Sequence, residues 1–117
     1  MEKIYDIKER SYQFGIKVIK LVKYIPRNPA SHVIVNQLIR AAMSIGANIV
    51  EGNAASSKKD FINFYNHALK SAVETKYWLR SLVDSGLIAI SRVKYLLDEV
   101  DELSRILGSI VSKSRKS

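Results

Sequence analysis

Apolar residues recur along this chain at intervals of three and four, and no stretch sustains the alternation of a strand. Breakers cut the pattern into four segments. Pro26 and Pro29 bracket one loop, Gly52 to Ser57 form a second, and Ser85-Gly86 a third. The first helix is predicted over about residues 6–24. Asp6 can cap it, with Glu9 three residues on, and Ile7, Phe14, Val18, Leu21 and Val22 share one face. The second is predicted over about 31–54, with Ser31 as its N-cap and Leu38, Ala42, Ile45 and Ile49 as its stripe. Ile34, Ala41 and Ala47 extend the apolar surface nearly all round. In a small bundle every helix keeps a wet face, so this helix is expected to bury its second face against another subunit.

The third helix is predicted over about 58–83, capped by Ser57 with Asp60 and carrying Phe61, Tyr65, Ala68, Ala72, Leu79 and Leu82 at helical spacing. The fourth is predicted over about 91–111. There Val93, Leu96, Val100, Leu103, Leu107 and Ile110 keep a 3,4,3,4,3 spacing, while Asp98, Asp101 and Glu102 face away. The closing KSRKS reads as a frayed basic tail. Four long amphipathic helices with short loops imply one all-α domain over residues 1–117, an antiparallel up-down-up-down four-helix bundle.

Composition narrows the function. The 117 residues contain no cysteine, which removes disulfides and thiolate metal sites and points to a reducing, cytoplasmic setting. MEKIYDIKER has no apolar core of a signal peptide. The longest low-charge run, Val33 to Val50, includes Asn36, Gln37, Arg40 and Asn48, so no membrane span is expected. Nineteen basic against eleven acidic residues give a net charge of +8. That excess favours a polyanionic partner, nucleic acid first.

Catalytic patterns are sparse. His32 and His67 lie in neither an H-E-x-x-H nor a Glu-x-x-His motif, so neither a metal nor any other cofactor is expected. Gly46 and Gly52 are isolated and form no phosphate loop. Gly46 lies mid-helix, at a cost of about 1 kcal/mol relative to Ala, and close helix approach beside Ala42 and Ala47 is the expected return. A Ser44, His67 and Asp60 trio has only composition behind it. The chain is therefore read as non-enzymatic.

Asn48 and Glu51 interrupt an otherwise small and apolar stretch. They are three apart and share a helix face. If helices two and three fold back near Ala54, both fall beside the start of helix three, and Arg40 falls near Ser71 and Glu74. A carboxylate facing free N–H groups at a helix start is stabilised there. This predicts a structural polar network in which Glu51 fixes the turn, Asn48 braces it, and Arg40 pairs with Glu74.

The same stretch carries a resemblance. The pattern Q-x-x-R-A-A-x-S-I-x-x-N-I-x-E-G, from Gln37 to Gly52, resembles the signature of the small four-helix bundle proteins encoded in intervening sequences of bacterial 23S rRNA genes. It continues as S-x-K-x-F from Ser57 to Phe61 and A-x-x-S-x-x-E from Ala68 to Glu74. Residues 37 to 88 match closely and the flanking helices by pattern. Gly46 stands where the family often has Pro, Val50 where Ala is usual, and Lys70 where Gly is usual. That family is similar in turn to the accessory variability proteins of diversity-generating retroelements. The similarity implies a ring-like homopentamer that binds nucleic acid through basic surfaces and associates with a reverse transcriptase.

The sequence thus predicts an oligomeric nucleic-acid-binding protein, RNA or DNA, with three basic sets. Lys17, Lys20, Lys23 and Arg27 close helix one, Lys58 and Lys59 open helix three, and Lys113, Arg115 and Lys116 end the chain given. The rival reading is an adaptor that docks a partner such as a reverse transcriptase. Tyr24, among the first set, is either a stacking platform or an ordinary amphipathic surface residue.

Overall fold

Local signals fix where each helix begins and ends in the computed structural model, which describes residues 6–117. Helix α1 runs Ile7–Leu21, and the Asp6 side chain accepts from the Glu9 N–H at 3.1 Å. A 3₁₀ turn, Val22–Tyr24, tightens its end. Helix α2 runs Pro29–Asn53. Its N-cap is Asn28, not Ser31 as expected, so it starts two residues early. Proline at the first helical position has the right φ and no N–H to leave unpaired. Ser31 closes the cap reciprocally: its N–H donates to Asn28 Oδ1 at 2.9 Å, and its Oγ accepts from the Asn28 N–H at 3.0 Å.

Helix α3, Lys58–Asp84, begins as expected at Ser57, whose Oγ accepts from the Asp60 N–H. It ends in a Schellman arrangement. The Leu87 N–H reaches the Leu82 carbonyl and the Gly86 N–H reaches Val83, both at 3.0 Å. Gly86 has φ of 79°, a conformation glycine adopts without penalty. Helix α4 runs Ile90–Lys116. The basic end expected to fray is therefore helical, and Lys113, Arg115 and Lys116 suit the negative end of the helix dipole.

Contacts are extensive between α2 and α3 and between α3 and α4, and smaller between α1 and α2 and between α1 and α4. The helices therefore stand in chain order around one core, the up-down-up-down bundle. Its interior holds Phe14 and Val18 from α1, Leu38, Ala42, Ile45 and Ile49 from α2, Ala68, Ala72, Leu79 and Leu82 from α3, and Val93, Leu96, Val100, Leu103 and Leu107 from α4. Val111 takes the last buried place on α4 where Ile110 was expected, and Ile110 is only partly buried. With 15 residues against 27, α1 flanks little over half of α4.

Gly52 is required by space, not by φ. A Cβ on Gly52 would lie 2.8 Å from the Tyr65 ring and 3.1 Å from Phe64 Cβ. One on Gly15 would lie 2.7 Å from the Met43 sulfur, the far end of a flexible side chain. Gly46, expected to allow close helix approach, does face the α1 backbone, and a Cβ there would meet the Tyr12 nitrogen at 3.5 Å, an ordinary contact. Lys70 on α3 is exposed and takes no place in the core. By length and composition α2 would also pass as a membrane span, and its inner face supplies four of the twenty residues of this core.

Candidate nucleic-acid interface

The basic sets fall at opposite ends of the bundle. Lys17 and Lys20 leave the outer face of α1, and Lys23 leaves the 3₁₀ turn. Across the seam, Ser91, Arg92 and Tyr95 rise from the first turns of α4. Together with Tyr24 they line a cleft of about 410 Å³ that contains four cations and no carboxylate. The Arg92 guanidinium lies 3.8 Å from the Tyr24 ring centroid, and Lys23 Nζ lies 5.2 Å from it. Tyr24 therefore carries Arg92 over one face of its ring. Tyr95 is 52% exposed and, among the described residues, stacks on no other ring. Arg27 does not join this cleft. It lines a separate hollow of about 540 Å³ with Pro26, Asn28 and His32.

At the other end, Lys58 Nζ donates to the Ser117 carbonyl oxygen, which draws the start of α3 to the end of α4. Lys58 and Lys59 thus share one end with Lys113, Arg115 and Lys116. At 1.5 Å per residue, Arg92 and Lys116 are roughly 36 Å apart along α4. The single chain offers two separated basic regions, not one continuous track.

The expected polar network does not form within the chain. Glu51 and Arg40 are exposed, and Arg40 makes no ion pair with Glu74. Glu74 instead accepts from Trp78 Nε1 at 3.0 Å, one turn along its own helix. Asn48 Nδ2 donates to the Ser44 carbonyl, Ser44 Oγ to the Arg40 carbonyl, and the buried Thr75 hydroxyl to the Ser71 carbonyl. Each polar group is satisfied by its own helix. The physical reason is rotation: Arg40 follows core residue Leu38 by two, and Glu51 follows Ile49 by two, about 200° round the helix.

The strongest ion pair was not anticipated. Arg10 Nε and Nη2 donate to the two oxygens of Glu99 at 3.0 and 2.8 Å, bridging α1 to α4. The Glu99 carboxylate raises Arg10 above the usual guanidinium range, with burial pulling the other way. Its signal was a cation three residues after Ile7 and four before Phe14, on the flank of the apolar stripe. Among the described residues no three His, Cys, Asp or Glu side chains gather to hold a metal.

The exposed face of α2 is organised as well. Val33, Asn36, Arg40, Met43, Ala47 and Val50 are all exposed, and they repeat the 3,4,3,4,3 spacing of a coiled-coil seam. Beside it, Tyr12, Met43, Gly46, Ala47 and Val50 line an apolar groove of about 300 Å³ between α1 and α2.

The sequence profile of 23S rRNA-intervening sequence proteins matches residues 3–109. The chain belongs to that family. A similar solved structure is a protein of unknown function from the S23 ribosomal protein family of Bacteroides thetaiotaomicron, with 35% identity, TM-score 0.83, and coverage of 90% of this chain and 97% of that one. No curated protein matches. In this member of the 23S rRNA-intervening sequence family the adjacent Glu51 and Gly52 have divided roles. Gly52 makes room for Tyr65, and Glu51 faces outward.

Proposed function

We propose that this family member is a non-enzymatic, oligomeric nucleic-acid-binding protein of the cytoplasm that holds phosphates on basic surface. The observation that carries this reading is the α1–α4 cleft, where Lys17, Lys20, Lys23 and Arg92 converge without a carboxylate. Side chains placed this way for no ligand would repel one another, and phosphate oxygens relieve that repulsion. The outer α2 seam supports self-association. Four of its six positions are apolar, and Asn36 and Arg40 would fix register in a helix pairing. A pentamer would gather five times the +8 charge on one assembly.

Fluorescence anisotropy of labelled RNA and duplex DNA across salt concentrations tests the reading. Binding is to be steeply salt-dependent and weakly sequence-selective, each phosphate contact adding about 0.9 to the logarithmic slope on duplex DNA. Replacing Lys17, Lys20 and Lys23 by Gln flattens that slope. Absence of binding to either nucleic acid at low salt overturns the reading. The second reading, an adaptor for a protein such as a reverse transcriptase, then takes its place, because the same apolar α2 seam fits a partner helix. Light scattering that gives a monomer mass at micromolar concentration overturns the oligomer.

A further inference from the structure

The cleft holds more than charge. Phosphate contacts need only cations, yet this site sets two tyrosines among its lysines. The two rings are not equivalent. Tyr24 has Arg92 stacked on it at 3.8 Å, so one of its faces is taken. Tyr95 lies one helical turn beyond Arg92 and Ser91 on α4, lines the same cleft, and keeps a ring 52% exposed. An exposed phenol ring beside a flat guanidinium and three ammonium groups matches the parts of a nucleotide: a π-face, a sugar and a phosphate. The volume of about 410 Å³ is within the range of small-ligand sites.

We propose that the α1–α4 cleft receives one unpaired nucleotide of a single-stranded nucleic acid, its base stacked on Tyr95 and its phosphate held by Arg92 and the α1 lysines. This rests on the nucleic-acid reading and narrows it. In a duplex the base faces are already stacked on their neighbours, so only an unpaired base can use Tyr95. Arg92, braced on Tyr24, presents its edge N–H groups to phosphate in a fixed plane. The Ser91 hydroxyl at the rim can bond a sugar hydroxyl.

The experiment titrates a labelled oligouridylate and an RNA duplex of equal length with the intact protein and three variants. Tyr95→Ala is expected to weaken the single strand about 5- to 100-fold, the range for loss of one stacked base, and to leave duplex binding unchanged. Tyr95→Phe restores single-strand binding, because the ring and not the hydroxyl does the stacking. Arg92→Gln weakens both nucleic acids, as loss of a phosphate contact does. Tyr95 is half exposed, and circular dichroism establishes that Tyr95→Ala stays folded. If the wild-type protein binds both nucleic acids and Tyr95→Ala weakens neither, or both alike, the nucleotide pocket is overturned while nucleic-acid binding stands. If the wild-type protein binds neither, both proposals fall. Uridine monophosphate is the remaining arm. If it displaces the strand at concentrations near those of the strand itself, the pocket serves a free nucleotide and the strand assignment is overturned.

Discussion

The same substitution, glycine to alanine, is expected to have opposite signs at two positions of α2. At Gly46 the new methyl would lie 3.5 Å from the Tyr12 nitrogen, with Ser11 atoms at 3.6 and 3.7 Å, all ordinary contacts. Nothing has to move. The helix recovers what a mid-helix glycine costs, about 0.5–1 kcal/mol. At Gly52 the methyl would meet two Tyr65 ring carbons at 2.8 and 2.9 Å, inside any real contact distance. The ring is not free to swing away. Its hydroxyl donates to Asn53 Oδ1, it stacks on Phe61 with centroids 4.3 Å apart, and it is 4% exposed. Overpacking costs about 1–3 kcal/mol, and displacing the ring loses a hydrogen bond of about 1 kcal/mol. The helix-propensity gain is smaller here, because Gly52 is in the last turn. Net destabilisation is about 1–3 kcal/mol. By the size scaling of unfolding entropy, Gly46→Ala raises Tm by about 2–5 °C and Gly52→Ala lowers it by at least as much. Thermal unfolding followed by circular dichroism reads both, with urea titrations giving the free energies. A Gly52→Ala protein as stable as wild type would refute the account of why this motif ends in glycine.

The other expected outcomes concern one ion pair and one phenol. Arg10→Ala and Glu99→Ala should each cost about 1–2 kcal/mol in urea unfolding, because a bidentate, part-buried pair exceeds an exposed one. A double-mutant cycle should give coupling between them, and strictly additive losses would show that the pair contributes nothing. Burial pushes the Tyr65 phenol above the usual range, and its bond to Asn53 pulls it partly back. The folded state therefore holds this proton more tightly than the unfolded chain. Its contribution is fully present below the ordinary phenol range near pH 10, and is lost as pH rises through the higher folded value. In an absorbance titration, wild type minus Tyr65→Phe should show a phenolate step above that range, and a step within or below it would contradict the burial.

The four helices were legible because their determinants are local. A stripe at 3.6-residue spacing, a serine or aspartate before it and a glycine after it act within one turn, so Asp6, Ser57 and Gly86 read correctly from the chain alone. Ser31 misled by the same logic. It is a strong cap type, but Pro29 can occupy only a first helical turn, and that moves the cap back to Asn28. The end of α4 was misread because basic, serine-rich ends fray in isolation, whereas here Val111 is buried and Lys58 reaches Ser117.

Sites were less legible because they depend on how the helices are rotated and paired. Arg92 and Tyr95 are about 70 residues from Lys17 and Lys20, and nothing near them in sequence marks them as basic-site residues. Only the short α1, closing against the first turns of α4, brings the two sets together. The polar network failed for a reason the sequence already held. Arg40 and Glu51 are each two residues past a core position, so a helix that buries Leu38 and Ile49 turns both outward. The family motif therefore mixes two kinds of constraint. Ala41, Ala42, Ile45, Ile49 and Gly52 answer to the inside of the bundle. Arg40 and Glu51 answer to its outside, on a helix whose exposed face repeats the seam spacing of its buried one. Polar residues that a lone bundle leaves unused on such a face are explained by what the face meets. On the proposed reading that is the α2 seam of a second subunit, where Arg40 supplies register that an all-apolar seam would lack.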